Sequence, residues 1–191
     1  MISCILLAAG AGKRMKCEAN KIFLQLGNYS VLQWNLHHMT AVADISEVII
    51  VAAAGEEPVI AKEVAAMGQL PWEPRIVAGG KERQDSVRAG TLAVSESADI
   101  ILVHDGARPM AKPELFTAVA KAADEYGAAV AAVPVIDTIK RVSDDLLVTQ
   151  TLKRSELYAV QTPQGFQRQW LMDAQAYAAE TDSWGLMMYL W

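Results

Sequence analysis

Five short apolar runs, rich in β-branched residues and bounded by turn signals, punctuate the chain. They are Ile2–Ala8, Glu47–Ala53, Pro74–Ala78, Ile100–His104 and Ala129–Val135. Their apolar character is nearly continuous rather than alternating, which predicts strands buried on both faces. Helix-period segments lie between them: Val31–Thr40, Pro58–Met67, Ser86–Ser95 and Lys112–Tyr126, the last closed by Gly127. Strand alternating with helix predicts an α/β fold around a mostly parallel sheet. The stretch Asp137–Gln161 breaks this rhythm. It is polar, carries the turn-like Ser143-Asp144-Asp145 between short β-prone stretches, and predicts a projecting hairpin or arm. No repeat, low-complexity tract or linker divides the chain, so residues 1–191 read as one domain, long enough for a sizeable core.

Composition narrows the function classes. Hydrophobic residues make up 52% and charged residues 20%, which excludes disordered and fibrous classes. The net charge of −5 argues against nucleic acid or an anionic membrane as a partner, so any polyanion must be held by a local cluster of cations. Cys4 and Cys17 have no C-x-x-C spacing, and His37, His38 and His104 have no metal-ligand spacing. A reducing cytoplasm is expected. The apolar N-terminal run precedes its cations, the reverse of a secretory signal, and no apolar stretch approaches the length of a membrane span.

Three turns at predicted strand ends carry the candidate chemistry. The first strand runs into Ala8-Ala9-Gly10-Ala11-Gly12-Lys13-Arg14, and Lys21 follows. Small residues let the backbone approach a ligand, and successive N–H groups in such a turn form an anion-binding nest. The spacing is neither a Walker loop nor a complete dinucleotide fingerprint. It suits phosphates flanked by Lys13, Arg14 and Lys21, or else a plain strand-to-loop turn with solvated cations. Its place after the first strand favours phosphate, because open α/β sheets bind ligands at the carboxyl ends of their strands. A second run, Asp99–Val103, ends in His104-Asp105-Gly106-Ala107-Arg108. A lone strand-end carboxylate suits Mg²⁺ with phosphate oxygens; the alternative is a turn cap paired with Arg108. His104 reads as a packed, hydrogen-bonded residue rather than a ligand. In the third turn, Gly79 and Gly80 permit close backbone approach, and Asp85 or Ser86 is expected to N-cap the following helix.

Six motifs occur in order: LLAAGAGKRM (6–15), NKIFL (20–24), GGKERQDSV (79–87), VHDGARP (103–109), PVIDTIK (134–140) and QTPQGF (161–166). On these the chain resembles the 2-C-methyl-D-erythritol 4-phosphate cytidylyltransferases, from about Ser3 to about Asp182. The resemblance implies a Rossmann-like, three-layer α/β fold with helices on both faces of a mostly parallel sheet and a β-arm. It implies transfer of a cytidylyl group from CTP to methylerythritol 4-phosphate with release of pyrophosphate, in isoprenoid precursor synthesis. By position, Ala8, Ala9, Gly10 and Gly12 would surround the CTP phosphates, and Gly80 and Ser86 would contact base and ribose. Asp105 would bind Mg²⁺, and Arg14 and Lys21 would stabilise the transition state. Thr138 and Arg154 would hold the acceptor's phosphate across a homodimer joined through the arm.

The C-terminus departs from that pattern. The family continues into a further strand, a lysine-bearing segment and a helix, whereas Ser183–Trp191 is uncharged and carries two tryptophans. A truncation or shifted frame is the expectation, with an incomplete acceptor site. Two alternatives therefore stand beside the leading function: a ribitol 5-phosphate cytidylyltransferase, and a CTP-binding protein with impaired turnover.

Overall fold

The computed structural model of the chain describes residues 1–10 and 20–181. The element order is β1 (Ile2–Leu7), a short ribbon of β2 (Gln25–Leu26) and β3 (Tyr29–Ser30), α1 (Val31–Thr40), β4 (Ile45–Ala52), α2 (Glu57–Ala65), β5 (Arg75–Ala78), α3 (Arg83–Ala93), β6 (Ile100–Asp105), α4 (Pro113–Tyr126), β7 (Ala128–Pro134), β8 (Lys140–Val142), β9 (Val148–Thr151), β10 (Tyr158–Gln167) and α5 (Arg168–Thr181). All five expected strands form, as β1, β4, β5, β6 and β7.

Six strands build the main sheet in the order β5-β4-β1-β6-β10-β7. The β5–β4, β4–β1 and β1–β6 pairs are parallel, while β10 runs antiparallel to both β6 and β7. The sheet is therefore the mostly parallel one expected, with a single reversed strand. Alternate side chains of β1 divide between two cores. Cys4 and Leu6 join Leu32, Leu36 and Met39 of α1, Ile60 of α2 and Phe116 of α4. Ile5 joins Ile49, Val51, Ile101 and Val103, covered by Val87 of α3 and Leu171 of α5. Helices on both faces explain why the central strands read as unbroken apolar runs. Each fully buried large side chain, such as Phe116 or Leu36, contributes about 1.5–3 kcal/mol relative to exposure.

Local signals fix the helix ends. Ser30 and Gln33 form a capping box at α1: the Gln33 N–H donates to Ser30 Oγ at 3.2 Å and the Ser30 N–H to Gln33 Oε1 at 3.0 Å. Gly127 closes α4 with φ of 89°, a conformation glycine adopts without a Cβ penalty.

Two expectations are corrected. Neither Asp85 nor Ser86 is the N-cap of α3, which begins three residues earlier than the apolar period implies, after Glu82. Asp85 instead reaches back from the first turn, its Oδ2 accepting the Glu82 N–H at 3.0 Å. The expected arm, 137–161, is shorter in fact. The exposed hairpin β8–β9 forms a separate two-stranded sheet, but Tyr158–Gln161 already belongs to β10 of the main sheet. Among the described residues, no helix is long and apolar enough to cross a membrane.

The strand order places the site. From β1 the chain moves outward to β4 and β5, then returns to the opposite side of β1 for β6. The sheet thus reverses its winding between β1 and β6. Such a switch point leaves a crevice at the carboxyl ends of the two strands, where α/β sheets bind ligands.

Candidate active site

At that crevice the carboxyl ends of β1 and β6 lie in register, Leu7 beside Asp105. Past β1, the Ala8 N–H still reaches the Val51 carbonyl at 2.8 Å, so the glycine turn departs from a fixed point. It also returns to one. The buried Asn20 donates from Nδ2 to the Ala8 carbonyl at 2.8 Å and to Glu56 Oε2 at 2.7 Å, and its Oδ1 accepts the Ile22 N–H at 3.3 Å. The two ends of the segment 9–19 are thereby tied together. Lys21 follows directly, at the start of a one-turn 3₁₀ helix that the buried Ile22 anchors. Ala9 and Gly10 lie at the mouth of this turn, half-buried and exposed respectively. Gly12, Arg14 and Cys17 lie outside the described residues, as do residues 182–191.

The turn after β6 is held just as firmly. The Gly106 N–H donates to the Leu7 carbonyl at 2.9 Å. A Cβ on Gly106 would stand 2.9 Å from that same oxygen, a close approach that its lack of a side chain permits. Asp105 is one-third exposed and faces two guanidinium groups. Arg83 donates to Oδ1 from Nε at 3.2 Å and from Nη2 at 3.1 Å, and Arg108 Nε lies 3.6 Å from Oδ2. Arg83 Nη2 also reaches Gln164 Oε1 of β10 at 3.4 Å. The third turn joins the same edge. A Cβ on Gly79 would meet Ala9 at 3.0 Å, which places the Gly79–Gly80 turn against the residues that follow β1. The buried Ser86 hydroxyl accepts the Gly80 N–H and donates to the Glu82 carbonyl, both at 3.3 Å, so it shapes the turn from within.

His104 is fully buried and hydrogen-bonded at both ring nitrogens, to Thr162 Oγ1 on one side and to Asn35 Oδ1 and the Arg108 carbonyl on the other. Burial lowers its pKa to about 4, against opposing pulls from the Arg108 carbonyl and the Asp105 charge. It is therefore neutral at physiological pH.

Arg154 lies elsewhere, at the base of the arm, where its Nη1 donates to the carbonyl of Ile136, two positions before Thr138, at 2.8 Å. Thr138 and Arg154 are both exposed. The described contact of Arg154 belongs to the arm and not to the strand-end turns. Sequence reasoning missed Arg83, Asn20, Asn35, Thr162 and Gln164. Asn20, Arg83, Thr162 and Gln164 stand inside the quoted motifs, which was the available signal; Asn35 carries none.

Among the described residues, no cluster of three or more His, Cys, Asp or Glu could hold a metal on protein ligands alone. The donor set at Asp105 nevertheless fits Mg²⁺, which takes one or two carboxylates and fills its shell with water and phosphate oxygens. Asp105 offers one hard, one-third exposed carboxylate, whose oxygens face the Arg83 and Arg108 guanidinium groups that a cation bound there would have to displace.

The model of the family IspD, 2-C-methyl-D-erythritol 4-phosphate cytidylyltransferase, matches residues 2–186. The chain belongs to this family. The Pelotomaculum thermopropionicum protein named 2-C-methyl-D-erythritol 4-phosphate cytidylyltransferase is 41% identical over 194 residues, covering 99% of this chain and 82% of that protein. The Bacillus pumilus protein of the same name is 44% identical, covering 93% and 76%. Among solved structures, 4-diphosphocytidyl-2C-methyl-D-erythritol synthase from Anaerococcus prevotii superposes with a TM-score of 0.82 at 29% identity, over 94% of this chain and 76% of that one. The Rossmann-like architecture of the IspD family is thus the architecture found here.

Proposed function

We propose that this chain transfers the cytidylyl group of CTP to the phosphate of 2-C-methyl-D-erythritol 4-phosphate and releases pyrophosphate, a step toward isoprenoid precursors. One observation carries the reading. In a chain of the IspD family, Ala9 just past β1, the Gly79–Gly80 turn and the acidic turn at Asp105 share the carboxyl edge of the sheet, at its switch point. The family name shared by the matched relatives disfavours ribitol 5-phosphate as the acceptor.

The chemistry suits such a site. An acceptor phosphate oxygen attacks the α-phosphorus of CTP; the new P–O bond forms as the bond to the β-phosphate oxygen breaks, and pyrophosphate leaves. The nucleophile is already ionised, so no general base is required. Repulsion between anions and the charge collecting on the α-phosphate and leaving group must be offset by fixed positive groups. In this reading the backbone of Ala8, Ala9, Gly10 and Gly12 cradles the phosphates, and Arg14 and Lys21 offset the developing charge. Gly80 and Ser86 form the wall for base and ribose. Asp105 holds Mg²⁺, which when bound neutralises and aligns phosphate oxygens. The whole acts as a single nucleotidyltransferase unit.

We further infer a homodimer, with Thr138 and Arg154 of one copy serving the acceptor site of the other. The arm supports this: Ile136 is 82% exposed and Leu146 80%, and Leu147 and Val148 are exposed beside them. The buried free thiol of Cys4 accords with a cytoplasmic location. The test is pyrophosphate release with CTP and Mg²⁺, offered methylerythritol 4-phosphate or ribitol 5-phosphate. Release with the former is expected, and Lys21→Ala lowers turnover at least ~10²-fold, as loss of one transition-state donor does elsewhere. No release, or faster release with ribitol 5-phosphate, overturns the reading; near-normal turnover in Lys21→Ala removes that lysine from it.

A further inference from the structure

We propose that His104 is a positioning residue for the cytidylyl transfer: as its Nε2–H tautomer it fixes the turn 105–108, and with it the Asp105 carboxylate, to α1 and β10. The proposal rests on the reading above for the use made of Asp105. The tautomer follows from the partners alone. Asn35 Nδ2 donates to two backbone carbonyls, Val31 at 2.7 Å and Gly106 at 2.8 Å. Carbonyls only accept, so the amide nitrogen of Asn35 must face them and its Oδ1 must face the imidazole. His104 Nε2 then lies 3.0 Å from Asn35 Oδ1 and 3.2 Å from the Arg108 carbonyl, both acceptors. Nε2 therefore carries the proton. On the other side, Thr162 Oγ1 accepts the Asp105 N–H at 3.1 Å, which leaves its own proton for His104 Nδ1 at 3.0 Å. Every donor in this chain of bonds meets an acceptor, and only one proton arrangement achieves it.

The network reaches the backbone on both sides of the carboxylate. Thr162 takes the Asp105 N–H, Asn35 holds the Gly106 carbonyl, and His104 holds the Arg108 carbonyl while orienting the other two. Phe116 of α4 presses against the ring, centroids 4.9 Å apart at 61°. The ring thus has one seat, and the turn bearing Asp105 and Arg108 inherits its position. A catalytic group displaced by about 1 Å can cost ~10²-fold in rate, so such support acts on chemistry without touching substrate.

Three measurements test this. Nitrogen-15 NMR of the histidine-labelled wild-type protein at neutral pH is expected to show Nε2 protonated and Nδ1 bare at His104. Amide exchange in His104→Phe is expected to accelerate at least ~10-fold at Asp105, Gly106 and Arg108 while β1 and β4 keep their protection. His104→Gln, whose amide regains a donor toward Asn35 and Arg108, is expected to recover part of it. In the pyrophosphate assay, His104→Phe is expected to lower kcat by ~10–100-fold, the range for lost supporting hydrogen bonds, with KM for CTP changed far less. An Nδ1–H tautomer, or wild-type exchange and kcat in His104→Phe, overturns the proposal. Should that variant fail to fold, the wild-type tautomer and the Gln variant still decide. A wild-type protein that releases no pyrophosphate yet shows the expected tautomer and exchange sinks the functional reading and leaves the anchoring of the turn established.

Discussion

Gly90 sits in the interior of α3, where that helix lies against β1 and β4. A Cβ built there would stand 2.5 Å from Ile5 Cγ2, 3.0 Å from Val51 Cγ2 and 3.3 Å from Ile5 Cδ1. Carbon atoms pack best at about 3.5–4.0 Å, so Gly90→Ala demands roughly 1 Å of relief. Ile5 and Val51 are both fully buried in central strands and cannot retreat, which leaves α3 to ride outward. Overpacking of this kind costs about 1–3 kcal/mol, and the better helix propensity of alanine returns up to about 1 kcal/mol. The expected net loss is about 1–2 kcal/mol, or about 0.5–1 M in the urea midpoint for a slope near 2 kcal/mol/M. Because α3 carries Arg83 and Ser86 at its start, the same displacement loosens the Arg83–Asp105 pair and the Gly80 turn, and turnover falls with stability. The decisive assay is a double-mutant cycle with Ile5→Ala, which removes the clashing methyl. The pair is expected to be less destabilised than the sum of the single variants by about 1–2 kcal/mol, within the range for residues in contact. Strict additivity, or an unchanged midpoint in Gly90→Ala alone, would refute the reasoning.

Asn20→Ala removes the tie across the ends of the glycine turn and strands the Ala8 carbonyl and Ile22 N–H. A stability loss of about 1–3 kcal/mol is expected in urea melts, together with weaker CTP binding by calorimetry; wild-type affinity would show that the turn needs no such tie. Leu146→Glu with Leu147→Glu places charge on the apolar tip of the arm. Sedimentation equilibrium is expected to shift from dimer toward monomer while the circular dichroism spectrum is unchanged, and an unaltered dimer would move the interface elsewhere.

The frame was legible where burial is two-sided. Cys4 through Leu6 and Val48 through Ala52 are apolar at every position because helices cover both faces, and their short length, β-branched content and bounding turns mark such runs as strands. Strand β10 hid for the opposite reason. Its first three residues are exposed, and it contains Pro163, which supplies no N–H, within the register shift between Val160 and Gln164. Read locally it resembles the tail of the arm. The start of α3 was missed because Arg83, Gln84 and Asp85 are polar and face the site or solvent, so the apolar period begins only after them. The site divides along the same line. Asp105 and the glycines are visible because a strand end and a turn are local events. Arg83 meets Asp105 across 22 positions, and Gln164 across 81; no local pattern records such meetings.

The reversed strand accounts for how these distant groups come together. If β7 had paired directly with β6, the sheet would have continued in parallel and the edge beside Asp105 would have carried only alternating apolar side chains from β7. Insertion of β10 between them, antiparallel, turns the QTPQGF segment toward the carboxyl end of β6, with Gln164 opposite Val103. Thr162 then lies where it can take the Asp105 N–H, and Gln164 where it can take a guanidinium proton of Arg83. A parallel strand at that position would have presented its carboxyl end, not its middle, to the same turn. The acidic turn is thus gripped from three directions: by α1 through Asn35, by β10 through Thr162, and by β1 through the Leu7 carbonyl. A reaction between two phosphates would need fixed positive charge more than it needs a base, and the Asp105 carboxylate, fixed in this way, holds the guanidinium groups of Arg83 and Arg108 at this turn.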